Sequence, residues 1–301
     1  MTPFTLATLR TAEGPKAALG VRDDYFLLSK LRPDLADWTC KSILQTWSTA
    51  APILETLAGN VIGNGTAGSG VSDAAAHLLT PVLYPDTLMA VGANYSGHLK
   101  EMGLVASKWS SMPYFIRPPK TSLVGPGDTV VIPKTTKKFD WECELAVFLG
   151  ARLKNADRDQ AAAAVAGYAV GLDMSCRDLI LTDNDLKVDL MRGKAQDTMA
   201  PCGPAIMPAR FVTDVNDLRI QLYVNEKKMM DASTAEMLYK IDEQLSIISQ
   251  YMTIEAGDIL FTGSPAGSAA ENGGCWLKPG DEIRAEIEQV GMLKVIMRGV
   301  T

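Results

Sequence analysis

Hydrophobic and polar positions near the start of the chain read as two short strands, over residues 4–8 (FTLAT) and 16–21 (KAALGV). Asp37 is placed to cap a helix that starts near Trp38 and runs through KSILQTWSTAAPILETLA. The Gly- and Ser-rich stretch GNGTAGSGVSD at 63–73 reads as a flexible loop. Pro81 and Pro85 then lead into a second segment, which sets a soft boundary near residue 85. Beyond it the pattern turns mainly to β. A turn-then-strand unit recurs where Gly127-Asp128 precedes TVVIP, Gly257-Asp258 precedes ILFTG and Gly280-Asp281 precedes EIRAEIE. Two helices interrupt it. Asn155 is placed to cap ADRDQAAAAVAGY, and residues 234–252 carry Met237, Leu238, Ile241, Leu245 and Ile248 near helical spacing.

The strand FDWECELAVFLG breaks its own apolar pattern. Side chains alternate faces along a strand, so Glu142 and Glu144 share a face with Ala146 and Phe148, while Trp141, Cys143, Leu145 and Val147 take the other. Two carboxylates on one apolar face repel each other and resist desolvation; a bound cation resolves the conflict, and so does simple exposure to solvent. Oxygen ligands of this kind suit Mg²⁺ or Mn²⁺, with Ca²⁺ also accommodated, better than zinc. Asp173 ends a further apolar strand, in GLDMSCRD, and can add a third oxygen or cap a turn; Arg177 and Asp178 follow it. His98 and Glu101, in NYSGHLKE, are spaced to share a face of a short helix, where a carboxylate can orient an imidazole as a general base. The other histidine, His77, lies in the apolar DAAAHLLT and reads as structural. Lys194 sits in a loop shaped by Pro201, Gly203 and Pro204, where an ammonium can hold a carboxylate or an oxyanion. In Phe261–Gly267, FTGSPAG, backbone N–H groups and the hydroxyls of Thr262 and Ser264 offer an anion site. No P-loop, GxGxxG or GxSxG is present.

Composition adds exclusions. Apolar residues at 47% and charged residues at 21% are those of an ordinary globular protein, and a net charge of -6 argues against nucleic acid. The five cysteines form no CxxC pair, so neither a disulfide framework nor a zinc site is expected, and a reducing compartment fits. The start MTPFTLATLR lacks the apolar run of a signal peptide, and no stretch has the length of a membrane span; the expected location is cytoplasmic, with no membrane partner.

The succession NYSGHLKE, GPGD, DWECEL, GLDMSCRD, GKAQD, PCGP, GDILFTGSPAG and LKPGDEI resembles the fumarylacetoacetate hydrolase family over most of the second segment. The resemblance implies an α+β fold: a mixed β-sandwich roll as catalytic domain, here 86–301, with a smaller N-terminal α/β domain, here 1–85, usually in a homodimer. It implies that Glu142, Glu144 and Asp173 hold Mg²⁺ or Mn²⁺. By the same resemblance His98 and Glu101 form a dyad on a lid, Lys194 is the active-site lysine, and Tyr95, Arg177 and Thr262 contact substrate. Three positions depart from the family pattern: Arg117 precedes Pro118 where many members have lysine, Leu179 stands where glutamine is common, and TGSP replaces TGTP. The implied activity is hydrolysis of the C–C bond of a small 2,4-dioxo acid to pyruvate and a second acid. Decarboxylation of oxaloacetate, isomerisation of an unsaturated 2-oxo acid and a catalytically silent metal-binding module are the competing readings. The lid stretch Leu99 to Pro113, with Lys100, Lys108 and Trp109, is expected to meet the substrate's tail, whether polar or aromatic.

Overall fold

A computed structural model describes residues 2–63, 70–72 and 76–300; most of the Gly/Ser-rich stretch expected as a loop therefore lies outside the described residues. The expected α+β class is observed. Two sheets face each other across an apolar core. The larger runs, edge to edge, through Val71–Ser72, Asp24–Leu27, Gly14–Val21, Thr5–Thr11, Ala200–Pro208, Val165–Leu172, Cys143–Leu149, Ile259–Phe261, Leu88–Val91 and Tyr114–Arg117, with Leu123–Val124 paired to Ala200–Pro208. The smaller contains Lys227–Ser233, Arg219–Val224, Glu282–Ile287, Gly291–Gly299 and Thr129–Ile132.

Alternation along Cys143–Leu149 decides which layer covers which face. Cys143, Leu145, Val147 and Leu149 enter the core shared with the second sheet, where they meet Ile220, Leu222, Ile283 and Val295. Ala146 and Phe148 point to the opposite face, into a cluster with Leu6, Leu19, Ile43 and Leu54. That second cluster belongs largely to the first 63 residues, whose helices lie over the sheet. The N-terminal segment also adds strands to the same sheet, through Thr5–Thr11 against Ala200–Pro208 with Leu6 opposite Ile206.

Several local expectations shift. The helix expected from Trp38 is two helices, Cys40–Gln45 and Trp47–Gly63. Its cap is Thr39 rather than Asp37, because Thr39 and Ser42 form a reciprocal capping box that satisfies two orphan N–H groups. Likewise Asp157, not Asn155, caps Arg158–Ala163, through a box with Gln160. Asn155 takes a left-handed φ of 50° that no N-cap uses. That helix is short because Val165–Leu172 is claimed by the sheet. The helix expected from 234 begins at Ile241, after a 3₁₀ turn at Thr234–Glu236. Residues between them bend away from the helical path, with Leu238 N donating to Asn94 O at 2.8 Å. His77 is exposed rather than packed, and its carbonyl accepts from Arg10 N at 2.9 Å.

Candidate active site

The acidic strand start, the end of Val165–Leu172, the helix Ser96–Glu101 and the helix Leu190–Lys194 converge on one buried point. Glu142 and Glu144 lie at the head of Cys143–Leu149, and Asp173 follows its neighbour strand, in which Leu172 pairs with Cys143. One oxygen from each of Glu142, Glu144 and Asp173 lies within 4.8 Å of the others. Exposure is 5% for Glu142 and 1% each for Glu144 and Asp173, so solvent does not relieve the crowding the sequence predicts.

Protein cations relieve part of it. Lys194 Nζ, itself buried, donates to Asp173 Oδ2 at 2.6 Å and to Glu142 Oε2. Arg177 donates to Glu142 Oε1 at 2.5 Å and to Asp140 Oδ2 at 2.7 Å. Arg117 pairs with Asp173 Oδ1. Burial pushes Glu142 up, but Arg177, Lys194 and His98 outweigh it and hold its carboxyl well below the usual range. For Asp173 burial prevails over Arg117 and Lys194, and its carboxyl is raised. Burial pulls Lys194 down, yet Asp173 and Glu142 overcome it and keep the ammonium charged.

Glu144 has no such partner. It accepts from Gly263 N at 2.7 Å and joins no ion pair among the described residues. Burial first, then Asp173 and Glu142, push its carboxyl far up. Were all five carboxyl groups (Glu101, Asp140, Glu142, Glu144, Asp173) ionised, they would exceed the three fixed cations (Arg117, Arg177, Lys194) by a formal charge of two with the imidazole neutral, and that imbalance is what raises Glu144 and Asp173. The donor set is all oxygen, with Cys143 turned to the other face. An unpaired buried carboxylate, a formal excess of two negative charges and oxygen donors fit a hard divalent cation.

The roof is the helix Ser96–Glu101. His98 Nδ1 lies 2.9 Å from Glu101 Oε2, and Nε2 lies 3.6 Å from Glu142 Oε1. Glu101 is fixed from its other side by Gly267 N, at 2.5 Å. The FTGSPAG turn does bind anions, as its amide-rich sequence suggests, but they are the protein's own: Gly263 N holds Glu144 and Gly267 N holds Glu101. Gly263 is required there. Its φ is 92°, and a Cβ would stand 2.8 Å from Asn94 Cβ.

The residues expected to contact substrate, and Asp178 beside them, have these partners within the protein. Thr262 spends its hydroxyl on Leu145 O at 3.1 Å, tying the turn to the acidic strand. Arg177 is committed to Asp140 and Glu142. Asp178 turns away to accept from Thr136 Oγ1 and from Lys137 N at 2.8 Å. Tyr95 is fully buried, with its hydroxyl beside Glu144 and Thr262.

Of two further members of the site, Asp140 was not singled out from sequence and Arg117 was noted only as a departure from the family pattern. Asp140 accepts from Arg177, from Trp141 N at 2.8 Å and from Ala269 N at 2.8 Å. Arg117 is 2% exposed and donates to Met199 O at 2.6 Å and Met174 O at 3.0 Å besides its ion pair. A charge ending the strand YFIR is the signal that marks it.

Fold and site define an α+β protein built around a sealed, carboxylate-rich centre with an imidazole–carboxylate pair above it. The chain belongs to the fumarylacetoacetate hydrolase family: the model of the fumarylacetoacetate (FAA) hydrolase C-terminal region matches residues 87–297. It is 36% identical over 216 residues to the human protein named oxaloacetate tautomerase FAHD2B, mitochondrial, covering 71% of this chain and 67% of that one. The maleylpyruvate hydrolase of Sphingobium sp. SYK-6, solved with manganese(II) and pyruvate, superposes with a TM-score of 0.75 at 26% identity over 98% of this chain and 100% of that one. The fumarylpyruvate hydrolase of Pseudomonas aeruginosa, solved with Mn²⁺ and pyruvate, gives a TM-score of 0.66 at 28% identity over 73% of this chain and 91% of that one. Among the described residues no helix is long and apolar enough to cross a membrane.

Proposed function

We propose that this chain is a divalent-metal-dependent enzyme that hydrolyses the C3–C4 bond of an acylpyruvate, giving pyruvate and a second carboxylic acid. The observation that carries the reading is the orientation of His98. A carboxylate only accepts, so Glu101 fixes the proton on Nδ1 and leaves the Nε2 lone pair directed at the acidic centre. Glu142, Glu144 and Asp173 are the residues that would hold Mg²⁺ or Mn²⁺, which would supply Lewis acidity to a bound 2-oxo acid. His98 Nε2 takes a proton from water as its oxygen attacks C4. Glu101 stabilises the imidazolium that results. The C3–C4 bond then breaks with its electron pair moving towards C2, and His98 returns the proton to C3. Lys194 offsets the charge of the substrate's carboxylate or of the developing oxyanion.

A second reading is favoured by the 36% identity to a protein named as an oxaloacetate tautomerase. There the same nitrogen of His98 moves a proton between C3 and the 2-oxygen, with no attacking water. Assays of the Mg²⁺- and Mn²⁺-loaded enzyme on a panel of acylpyruvates and on oxaloacetate separate the two. Hydrolysis predicts pyruvate plus an acid, with His98→Ala slower by about 10²–10⁴-fold. Keto–enol exchange of oxaloacetate without cleavage of any acylpyruvate would replace the hydrolase by the tautomerase; CO₂ released from oxaloacetate would point to decarboxylation.

A further inference from the structure

The stretch that carries His98 is clipped at both ends to one residue, Tyr239. At the near end Asn94 Oδ1 accepts from Tyr239 N at 2.8 Å, and Asn94 Nδ2 donates to Tyr239 O at 3.1 Å and Thr262 O at 2.8 Å. At the far end the Tyr239 hydroxyl donates to Trp109 O, and Lys108 pairs with Glu243 in the first turn of the helix Ile241–Tyr251. Lys108 Nζ also stands 4.6 Å from the centre of the Tyr239 ring.

These two ends differ in kind. The near end is fully buried, with Asn94 at 0% exposure. The Lys108–Glu243 pair is not: its side chains are 43% and 20% exposed. Between them Tyr95, His98 and Leu99 are buried at the near end, while Met102, Leu104 and Val105 face outward. Beyond Leu99 little apolar burial keeps the stretch down, and the position of its far half depends on polar contacts. Beneath it the site is sealed, with His98 and Lys194 each at 6% exposure, so a substrate reaches the centre only when the stretch lifts.

We propose that Lys108, Glu243 and the Tyr239 hydroxyl form a latch: positioning residues that hold the 96–109 stretch closed and thereby hold His98 Nε2 over the acidic centre. A half-exposed ion pair is worth only about 0–1 kcal/mol in water. That is weak enough to open in each catalytic cycle and strong enough to shift the closed population several-fold. The latch rests on the function proposed above only in taking His98 as the group it positions.

The test uses the full-length Mn²⁺-loaded protein and a charge swap. Hydrogen exchange of peptides within 99–113, followed by mass spectrometry, reads the latch without any substrate. Lys108→Glu and Glu243→Lys should each speed exchange there by about three- to tenfold, and Tyr239→Phe should act in the same direction. The double swap Lys108→Glu/Glu243→Lys should return exchange to within about twofold of the parent, since the pair is restored with its sign reversed. In turnover of an acylpyruvate the single reversals should lower kcat, because His98 stands over the centre less often, and the swap should recover it. Unchanged exchange in the single variants, or a swap as fast as the singles, overturns the latch. Should the parent cleave no acylpyruvate, the exchange result still judges the latch, and it is the hydrolase reading that falls.

Discussion

Arg117 is a stringent place to test how the site is held. Its side chain is fully buried, and it serves Asp173, Met174 O and Met199 O at once. Arg117→Met keeps much of the volume but removes one of three cations facing five carboxylates, and leaves two carbonyls without this donor. Removing one partner of a buried ion pair costs about 3–5 kcal/mol. Unfolding entropy of roughly 2.1 cal/mol/K per residue gives about 0.6 kcal/mol/K for a chain of 301 residues. The expected fall in Tm is therefore about 5–8 °C. Arg117→Lys keeps the charge but has one nitrogen where the guanidinium uses two, and should fall between the variant and the parent. Differential scanning calorimetry of the three proteins, with and without Mn²⁺, measures this. A Tm for Arg117→Met within about 1 °C of the parent would show that Asp173 does not depend on this guanidinium, and that the charge balance drawn here is wrong.

Further outcomes follow from the same geometry. Glu144→Gln keeps an acceptor for Gly263 N but removes the one carboxylate without an ion pair; Mn²⁺ affinity measured by calorimetry should fall at least about tenfold with the fold intact, and unchanged affinity would remove Glu144 from the ligand set. Lys194→Met should cut acylpyruvate turnover by about 10²-fold or more while Mn²⁺ still binds, because an ammonium is no ligand; wild-type kinetics would make Lys194 a purely structural ion-pair partner. Asp157→Ala, which removes the cap of Arg158–Ala163, should cost about 1 kcal/mol in denaturant unfolding without touching Mn²⁺ affinity.

What the sequence revealed depended on whether the interaction was local. The facing of Glu142 and Glu144 follows from strand periodicity alone, and the structure reproduces it in the split of Leu145 and Ala146 between two cores. His98 and Glu101 meet because three residues make nearly one helical turn. Arg117 stood out only as a departure from the family pattern because its partner lies 56 positions away, and Asp140 escaped notice because it is met by Ala269 from 129 positions away. The helix caps misread at Asp37 and Asn155 turned on choices between neighbouring polar residues, which only reciprocal geometry with Ser42 and Gln160 resolves. Thr262 was expected to offer its hydroxyl to an anion or substrate, and spacing could not say that this hydroxyl would donate to Leu145 O.

The pairing of Thr5–Thr11 with Ala200–Pro208 bears on how this protein can be taken apart. A fragment beginning at residue 86 would retain every residue of the acidic centre. It would also carry an open sheet edge along Ala200–Pro208, and a bare apolar face at Ala146, Phe148 and Phe261 where Leu6, Leu19 and Leu54 now lie. Open edges and bare faces of that kind recruit other chains. The first strands thus protect against aggregation a sheet whose chemistry they never touch. Trimming the protein to its reacting part at the point where the sequence changes character therefore exposes that edge and face, and so does any cut that removes Thr5–Thr11.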